Sequence, residues 1–274
     1  MFFSVLISIY SKEQPVHFNE CMESIWDKQS LRPTEIILVE DGPLTEELYN
    51  VIELWKSKLG SVLQVTSLKQ NLGTGKAKNI GLSQCQFEIV CIVDTDDISD
   101  SNRFKKQIEF LEKNKNTSIV GGQIIEFIDD KDNSTGVRQV PVSHEELVQY
   151  AKSRSPFNNM TIAYRKSAIL DAGGYQHHLW MEDYNLFLRL IAKGYRLHNL
   201  SEVLVYARTD NGMHGRRKGL QYIKSEKQLL DLKKKLKLQS PLYANMLFLA
   251  RASFRLLPAN LLGKIYNTFL RKKV

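Results

Sequence analysis

The sequence predicts an α/β fold: a parallel sheet covered by helices, followed by a mixed second half and a basic helical extension. Three observations carry that prediction. Over residues 3 to about 93, short apolar runs alternate with longer amphipathic segments, the pattern of βαβ units whose right-handed crossovers build a parallel sheet covered on both faces. The acidic and Gly-rich stretches fall just after the apolar runs, at the strand ends where ligands bind in such sheets. With 274 residues and 43% hydrophobic composition, the chain can bury a full core as one large domain, or one domain plus a smaller appendage.

The first strand is expected in "FSVLISI" (3–9). Its flank "MFFSVLISIY" lacks a basic leader and a small-residue cleavage site, and the apolar run is far too short to span a bilayer. "EIILVE" (35–40), "VLQVTSL" (62–68) and "EIVCIVD" (88–94) read as the next buried strands, with helices between them near 16–29, 44–58 and 74–84. Beyond residue 100 the spacing predicts a helix near 101–114, mixed strands around 118–140 and a helix near 143–152. "SPFNNMTIAYRKSAILDAGGY" then reads as a loop, a strand, a short helix and a glycine turn. "MEDYNLFLRLIAKGYRL" is an amphipathic helix, with Leu186, Leu190 and Ile191 at helical spacing behind Glu182 and Asp183. Cys21, Cys85 and Cys91 are scattered without metal-ligand spacing and read as reduced thiols of a cytosolic protein.

The candidate chemistry sits at the strand ends. "CIVDTDDIS" (91–99) runs four apolar residues into Asp94, Asp96 and Asp97. A single Asp there would read as a turn or helix cap. Three within four residues repel one another unless a cation or hydrogen-bond donors compensate them, which points to a divalent metal with hard oxygen ligands, magnesium, calcium or manganese, that also grips substrate phosphate. "VEDGP" places Glu40, Asp41 and Gly42 after the second strand. "NLGTGKAKNIG" (71–81) opens a helix with Gly73, Gly75, Lys76 and Lys78, a plausible anion site that matches neither the P-loop nor GxGxxG spacing. Glu182 and Asp183 open a helix, where acids serve as a cap and a dipole match or as a functional pair.

Taken in order, "VEDGP", "NLGTGKAKNIG", "DTDD", "SPFNNMT", "GGY" and "MEDYNLFLRL" behind the first strand resemble the inverting glycosyltransferases of family 2, with the GT-A fold, over about residues 3–210. The resemblance implies a GT-A domain over residues 1–215, with a nucleotide-sugar half (about 1–115) and an acceptor half (about 116–215). It gives Asp41 to the uracil or other donor base and Lys78 to the diphosphate. Ser8, Tyr10 and Asn71 join the nucleotide-sugar site, Asp94 approaches ribose or sugar hydroxyls, and Asp97 stands near the donor sugar. Asp96 is the implied metal ligand and the ion is Mn2+ or Mg2+; apart from the resemblance, His214 in "NGMHGRR" reads as a further metal contact or as an exposed loop histidine. Asp183 corresponds to the general base, with Glu182 beside it. The chain departs from the family's pattern at Lys78, where Arg is frequent, at Asn159, where many relatives carry His, and at Glu40, where Asp is common.

The reaction demands such a set. An acceptor hydroxyl attacks the anomeric carbon from one face while nucleoside diphosphate leaves from the other. A cation must meet the leaving charge, and a carboxylate opposite must take the proton.

The net charge of +8 is unevenly spread. Residues 1–215 hold 23 Lys and Arg against 28 Asp and Glu, whereas residues 216–274 hold 15 against 2, a net of +13. This extension ends after Pro258 in a stripe of Leu261, Leu262, Ile265, Tyr266, Phe269 and Leu270 with Lys264, Arg271, Lys272 and Lys273 around it. The pattern reads as a helix on an anionic membrane surface, or as a helix packed on the main domain with a solvated basic face. A membrane-surface tail suits a lipid-linked acceptor, and the family resemblance implies a polyprenyl-diphosphate-linked sugar at the inner face of the cell membrane, in the synthesis of O-antigen or exopolysaccharide. Arg216 and Arg217 would meet its diphosphate, and the donor is a UDP-sugar, UDP-glucose or UDP-galactose. No motif or aromatic platform supports nucleic acid. Two rivals remain: a nucleotidyltransferase, which would want a Gly-rich loop directly after the first strand where "SIYSKEQP" has none, and a non-catalytic scaffold of the same fold.

Overall fold

The computed structural model describes residues 1–209 and 219–255, the side chains of the last two excepted. His214, Arg216, Arg217, Pro258 and the stripe from Leu261 to Leu270 lie outside the described residues. The four strands expected first are present as β1 (Ser4–Ile9), β2 (Glu35–Glu40), β3 (Leu63–Ser67) and β4 (Ile89–Val93). Between them run α1 (Pro15–Ile25), α2 (Glu46–Leu59) and α3 (Thr74–Gln84). Proline opens α1, where its missing N–H costs nothing, and the Thr45 side chain caps α2 by accepting from the Leu48 amide. β2 and β4 flank β1 in parallel, and β3 adds to β2, also in parallel.

Strand alternation sorts the apolar residues into two cores. Val5, Ile7, Ile9, Ile36 and Leu38 face α1, α2 and a fourth helix, α4 (Arg103–Lys113), whereas Leu6, Ile37 and Val39 face α3 and two later helices, α6 (Lys166–Asp171) and α7 (Glu182–Ala192). A sheet buried on both faces has only its strand ends open to solvent. The loops at those ends thus hold the polar residues of the site.

The second half adds β5 (Ile98–Ser99), β6 (Thr117–Phe127), β7 (Ser134–Arg138), α5 (His144–Tyr150), β8 (Ala163–Arg165) and β9 (Arg196–Arg208). The nine strands run in the order β3-β2-β1-β4-β8-β6-β9-β5, with β7 on β6. β8 is antiparallel to both β4 and β6, so it turns the parallel sheet into a mixed one. β9, thirteen residues long and parallel to β6, is absent from the sequence-based expectation. Ser201 and Glu202 interrupt its apolar pattern, and its ladder with β6 carries register shifts. Its far end pairs with β5 through Tyr206 and Ile98, which brings Arg208 against the acidic loop.

Two helices, α8 (Gly219–Lys235) and α9 (Pro241–Arg255), form the described part of the basic extension. Tyr222 and Leu229 of α8 share a core with Ala151, Met181, Tyr184 and Leu188, so this part is packed on the main domain. α9 is clamped to α8 by Arg251, whose Nε and Nη2 each lie 2.7 Å from one oxygen of the buried Glu226.

Candidate active site

The loops after β2 and β3 are clasped together. The Asp41 amide donates to the Ile9 carbonyl at 2.7 Å, and its carboxylate accepts from the backbone amides of Leu72 (2.6 Å) and Gly73 (3.0 Å). The Asn71 side chain donates to the Asp41 carbonyl at 3.1 Å. Gly42, at φ +91°, is required here, because a Cβ would lie 2.7 Å from the Asn71 nitrogen. Asp41 and Asn71, both assigned by sequence to the donor, thus share one rim. Ser8 is half-buried in β1, and the Tyr10 ring is exposed just beyond that strand.

At the end of β4 the three aspartates diverge. Asp94 and Asp96 are partly exposed, whereas Asp97 is buried and accepts the backbone amide of Arg208 at 2.9 Å. Burial pushes the Asp97 carboxyl well above the usual range, and the charges of Asp96 and Asp94 push it further. The Arg208 side chain holds the loop from outside. Its Nε donates to the Asp96 carbonyl at 3.3 Å, its Nη2 lies 2.6 Å from Glu20, and the guanidinium sits 4.6 Å from the Phe127 ring centroid. Thr95 donates to the Glu13 carboxylate and ties the same loop to the end of β1.

Lys78, on the buried face of α3, is 1% exposed and reaches Asp94 Oδ1 at 3.3 Å. Burial alone would discharge it, but Asp94, Tyr175 and Glu182 hold it above the usual lysine range. Glu182 and Asp183, at the N-terminus of α7, lie within electrostatic reach of the same ammonium. Burial, with the neighbouring Asp183, raises Glu182 to about 7. Burial also raises Asp183, against the Tyr184 amide, Lys78 and Arg138. One Asp183 oxygen accepts the Tyr184 N–H at 2.7 Å. A Cβ placed on Gly75 would be 3.5 Å from the Glu182 side chain, so the Gly-rich loop and the acidic pair are neighbours.

The glycine turn fixes α7 against α3. Asn79 accepts the Tyr175 N–H at 2.8 Å and donates to its carbonyl at 2.7 Å. Gly174, at φ +63°, leaves room for this, since a Cβ would come within 2.7 Å of Asn79 Oδ1. Arg189 of α7 donates to the Gly174 carbonyl at 2.6 Å. The buried Tyr175 hydroxyl is raised to about 12 by burial, despite Lys78 nearby.

The carboxylates of Asp94, Glu182 and Asp183 therefore all feel one buried ammonium, which only Asp94 contacts, and Arg138 acts on Asp183 as a second cation. That surplus of negative charge suits a divalent ion. Among the described residues no three His, Cys, Asp or Glu side chains form a ready metal cage. Asp94 and Asp96 offer at most an open, two-carboxylate site, completed by substrate phosphate oxygens, and this donor set fits magnesium or manganese. Sequence reasoning passed over Arg208, Tyr175, Arg138 and Glu13. Arg208 ends the unforeseen β9, and Tyr175 stood in a motif whose glycines drew the attention. "SPFNNMT" is a backbone clip, with Asn158 donating to the Gly122 carbonyl at 2.8 Å and Thr161 accepting the Gly122 amide at 3.0 Å.

Residues 4–178 match the model of glycosyl transferase family 2. The chain is 44% identical over 272 residues to an uncharacterized glycosyltransferase of Haemophilus influenzae, covering 99% of this chain and 100% of that one. It is 41% identical to the amylovoran biosynthesis glycosyltransferase AmsE of Erwinia amylovora, over 97% and 98% of the two chains. It is 34% identical to the UDP-Gal:alpha-D-GlcNAc-diphosphoundecaprenol beta-1,3-galactosyltransferase of Escherichia coli, over 98% and 97%. Among solved structures, Staphylococcus aureus TarS in complex with UDP-GlcNAc superposes with a TM-score of 0.64 at 22% identity, over 92% of this chain and 72% of that one. The mannosyltransferase PcManGT of Pyrobaculum calidifontis, in complex with GDP-Man and Mn2+, gives 0.64 at 16% identity, over 96% and 78%. The fold is GT-A, and the chain belongs to glycosyltransferase family 2.

Proposed function

We propose that this family 2 glycosyltransferase moves a hexose, glucose or galactose, from its UDP-sugar to a polyprenyl-diphosphate-linked sugar in bacterial surface polysaccharide synthesis, with inversion and with a divalent metal. The observation that carries the reading is the position of Lys78, 3.3 Å from Asp94 at the strand end and among the counter-charges of Glu182 and Asp183 at the helix end. This position supports a reading in which the donor and acceptor sides open on one crevice. The relatives support the chemistry by what their names state: one uses UDP-Gal and a diphosphoundecaprenol-linked acceptor, and another serves amylovoran biosynthesis.

In this reading Asp41, Asn71, Ser8 and Tyr10 receive the nucleoside. Asp94 and Asp96 would hold Mn2+ or Mg2+, which supplies positive charge to the departing diphosphate. Lys78 adds its own charge beside Asp94. Asp183 takes the proton of the attacking hydroxyl, and burial raises its carboxyl above the ordinary carboxylate range. Glu182 shares that charge with it. The test is UDP release from a panel of nucleotide sugars with a synthetic lipid-diphosphate disaccharide, with and without EDTA. Turnover that needs one UDP-hexose and restored Mn2+ or Mg2+ supports the reading, and full turnover in chelator removes the metal.

A further inference from the structure

We infer that the outward face of α9 is a docking surface for an anionic lipid bilayer. Leu242, Met246 and Leu249 are 72%, 61% and 65% exposed. Their spacing of four and three residues lines them up along one side of the helix. Ala244, on the opposite side, is 2% exposed and turns toward α8. From Pro241 to Ala250 the helix carries no charged residue. Among the described residues no helix is long and apolar enough to cross a membrane, so this face can lie on a bilayer but cannot span one.

The helix cannot roll to hide the stripe. Arg251 binds both oxygens of Glu226 at 2.7 Å and also donates to the Ser153 carbonyl at 2.6 Å, which fixes α9 to α8 and to the main domain at once.

Charge selects the occupant. On the same helical extension, Lys224 and Lys235 of α8 and Lys237 just after it are exposed. The two acids of the whole extension are already paired, Glu226 with Arg251 and Asp231 with Lys227 at 2.6 Å. A second copy joined by two-fold symmetry would place two extensions of net +13 face to face, an arrangement that repels. Anionic lipid offers both an apolar layer and the opposite charge. The docking rests for its purpose on the lipid-linked acceptor proposed above, but its test needs no acceptor.

The full chain should sediment with vesicles of phosphatidylglycerol and phosphatidylethanolamine, and less so as salt rises. The triple variant Leu242→Ser, Met246→Ser, Leu249→Ser should lose at least tenfold in vesicle affinity while its melting temperature and its turnover of a short soluble acceptor stay as in the wild type. An environment-sensitive fluorophore on Met246→Cys should shift to the blue when vesicles are added, and this readout stands even if the triple variant misfolds. No shift, or wild-type binding by the triple variant, overturns the inference and moves docking to another surface. A wild-type dimer that the triple variant turns into a monomer, without vesicle binding, gives the face to a second copy instead. Vesicle binding through this stripe by a protein that releases no UDP would leave the docking intact and sink the enzymatic reading.

Discussion

The seam between α8 and α9 and the crevice at the strand ends both bury a cation against carboxylate, yet they are built to opposite specifications. At the seam, two nitrogens of Arg251 meet the two oxygens of Glu226 at 2.7 Å, and a third meets a backbone carbonyl. The Arg251 charge there has its full complement of partners, although the neighbouring Lys233 donates only to a backbone carbonyl and burial lowers it to about 7. In the crevice, Lys78 makes one contact of 3.3 Å with Asp94, while Glu182 and Asp183 feel its charge without contacting it and burial pushes both upward. A saturated buried pair serves the fold. Surplus charge held in place by packing is what a binding or catalytic site retains for its ligand.

The sharpest way to break this contrast is at Asp183. Asp183→Asn keeps the shape and removes the basicity, so kcat should fall about 1000-fold while donor affinity survives, a split read by steady-state kinetics beside UDP-sugar titration. Near-normal turnover would pass the base to Glu182.

The seam should respond in the other currency, stability. Glu226→Gln leaves Arg251 buried without a counter-charge and should cost about 3 kcal/mol, read from the denaturant midpoint, with kcat on a soluble acceptor unchanged. A cost near zero would show that the seam is not saturated as its geometry indicates.

Arg208 lies between these extremes, being an ordered clamp that serves the crevice. Arg208→Lys keeps one charge but cannot hold Glu20 and the Asp96 carbonyl together. The expected effect is about tenfold in kcat/KM, roughly 1.4 kcal/mol, with a higher metal requirement. A wild-type metal titration would deny it the positioning role.

The two regions also differed in how far the sequence disclosed them. β1, β2 and β4 were legible because strands buried on both faces read as continuous apolar runs, and the acids at their ends stood out against them. β3, expected to be buried, is a half-buried edge strand marked only by the alternation of Leu63 and Val65. β9 was not legible, since Ser201 and Glu202 break its pattern and only its pairing with β6 makes it a strand. Arg208 was lost with it. The sharing of Lys78 by Asp94 and the Glu182–Asp183 pair was equally hidden, because it joins positions about a hundred residues apart through the Gly174 turn and Asn79. Glu226 and Arg251 gave no sequence signal beyond two charges in a basic helical stretch.

The smallest predicted effect tests whether the surplus charge in the crevice is real. Glu182 ordinarily titrates near 4.5 and is raised to about 7 in the folded protein, chiefly by burial. Between those values the folded state holds a proton that the unfolded chain has released. Its contribution to stability is thus complete below about 4.5 and disappears as pH rises through about 7. Glutamine imitates the protonated form at every pH. The melting temperature of Glu182→Gln should match the wild type near pH 5 and exceed it by about 2 °C at pH 8, the shift that ~1 kcal/mol produces in a domain of this size. Asp183 is shifted in the same direction and adds to the slope in both proteins. Stability that does not part from the wild type as pH rises would mean that Lys78 already neutralises the crevice, and the contrast with the α8–α9 seam would then be one of geometry alone.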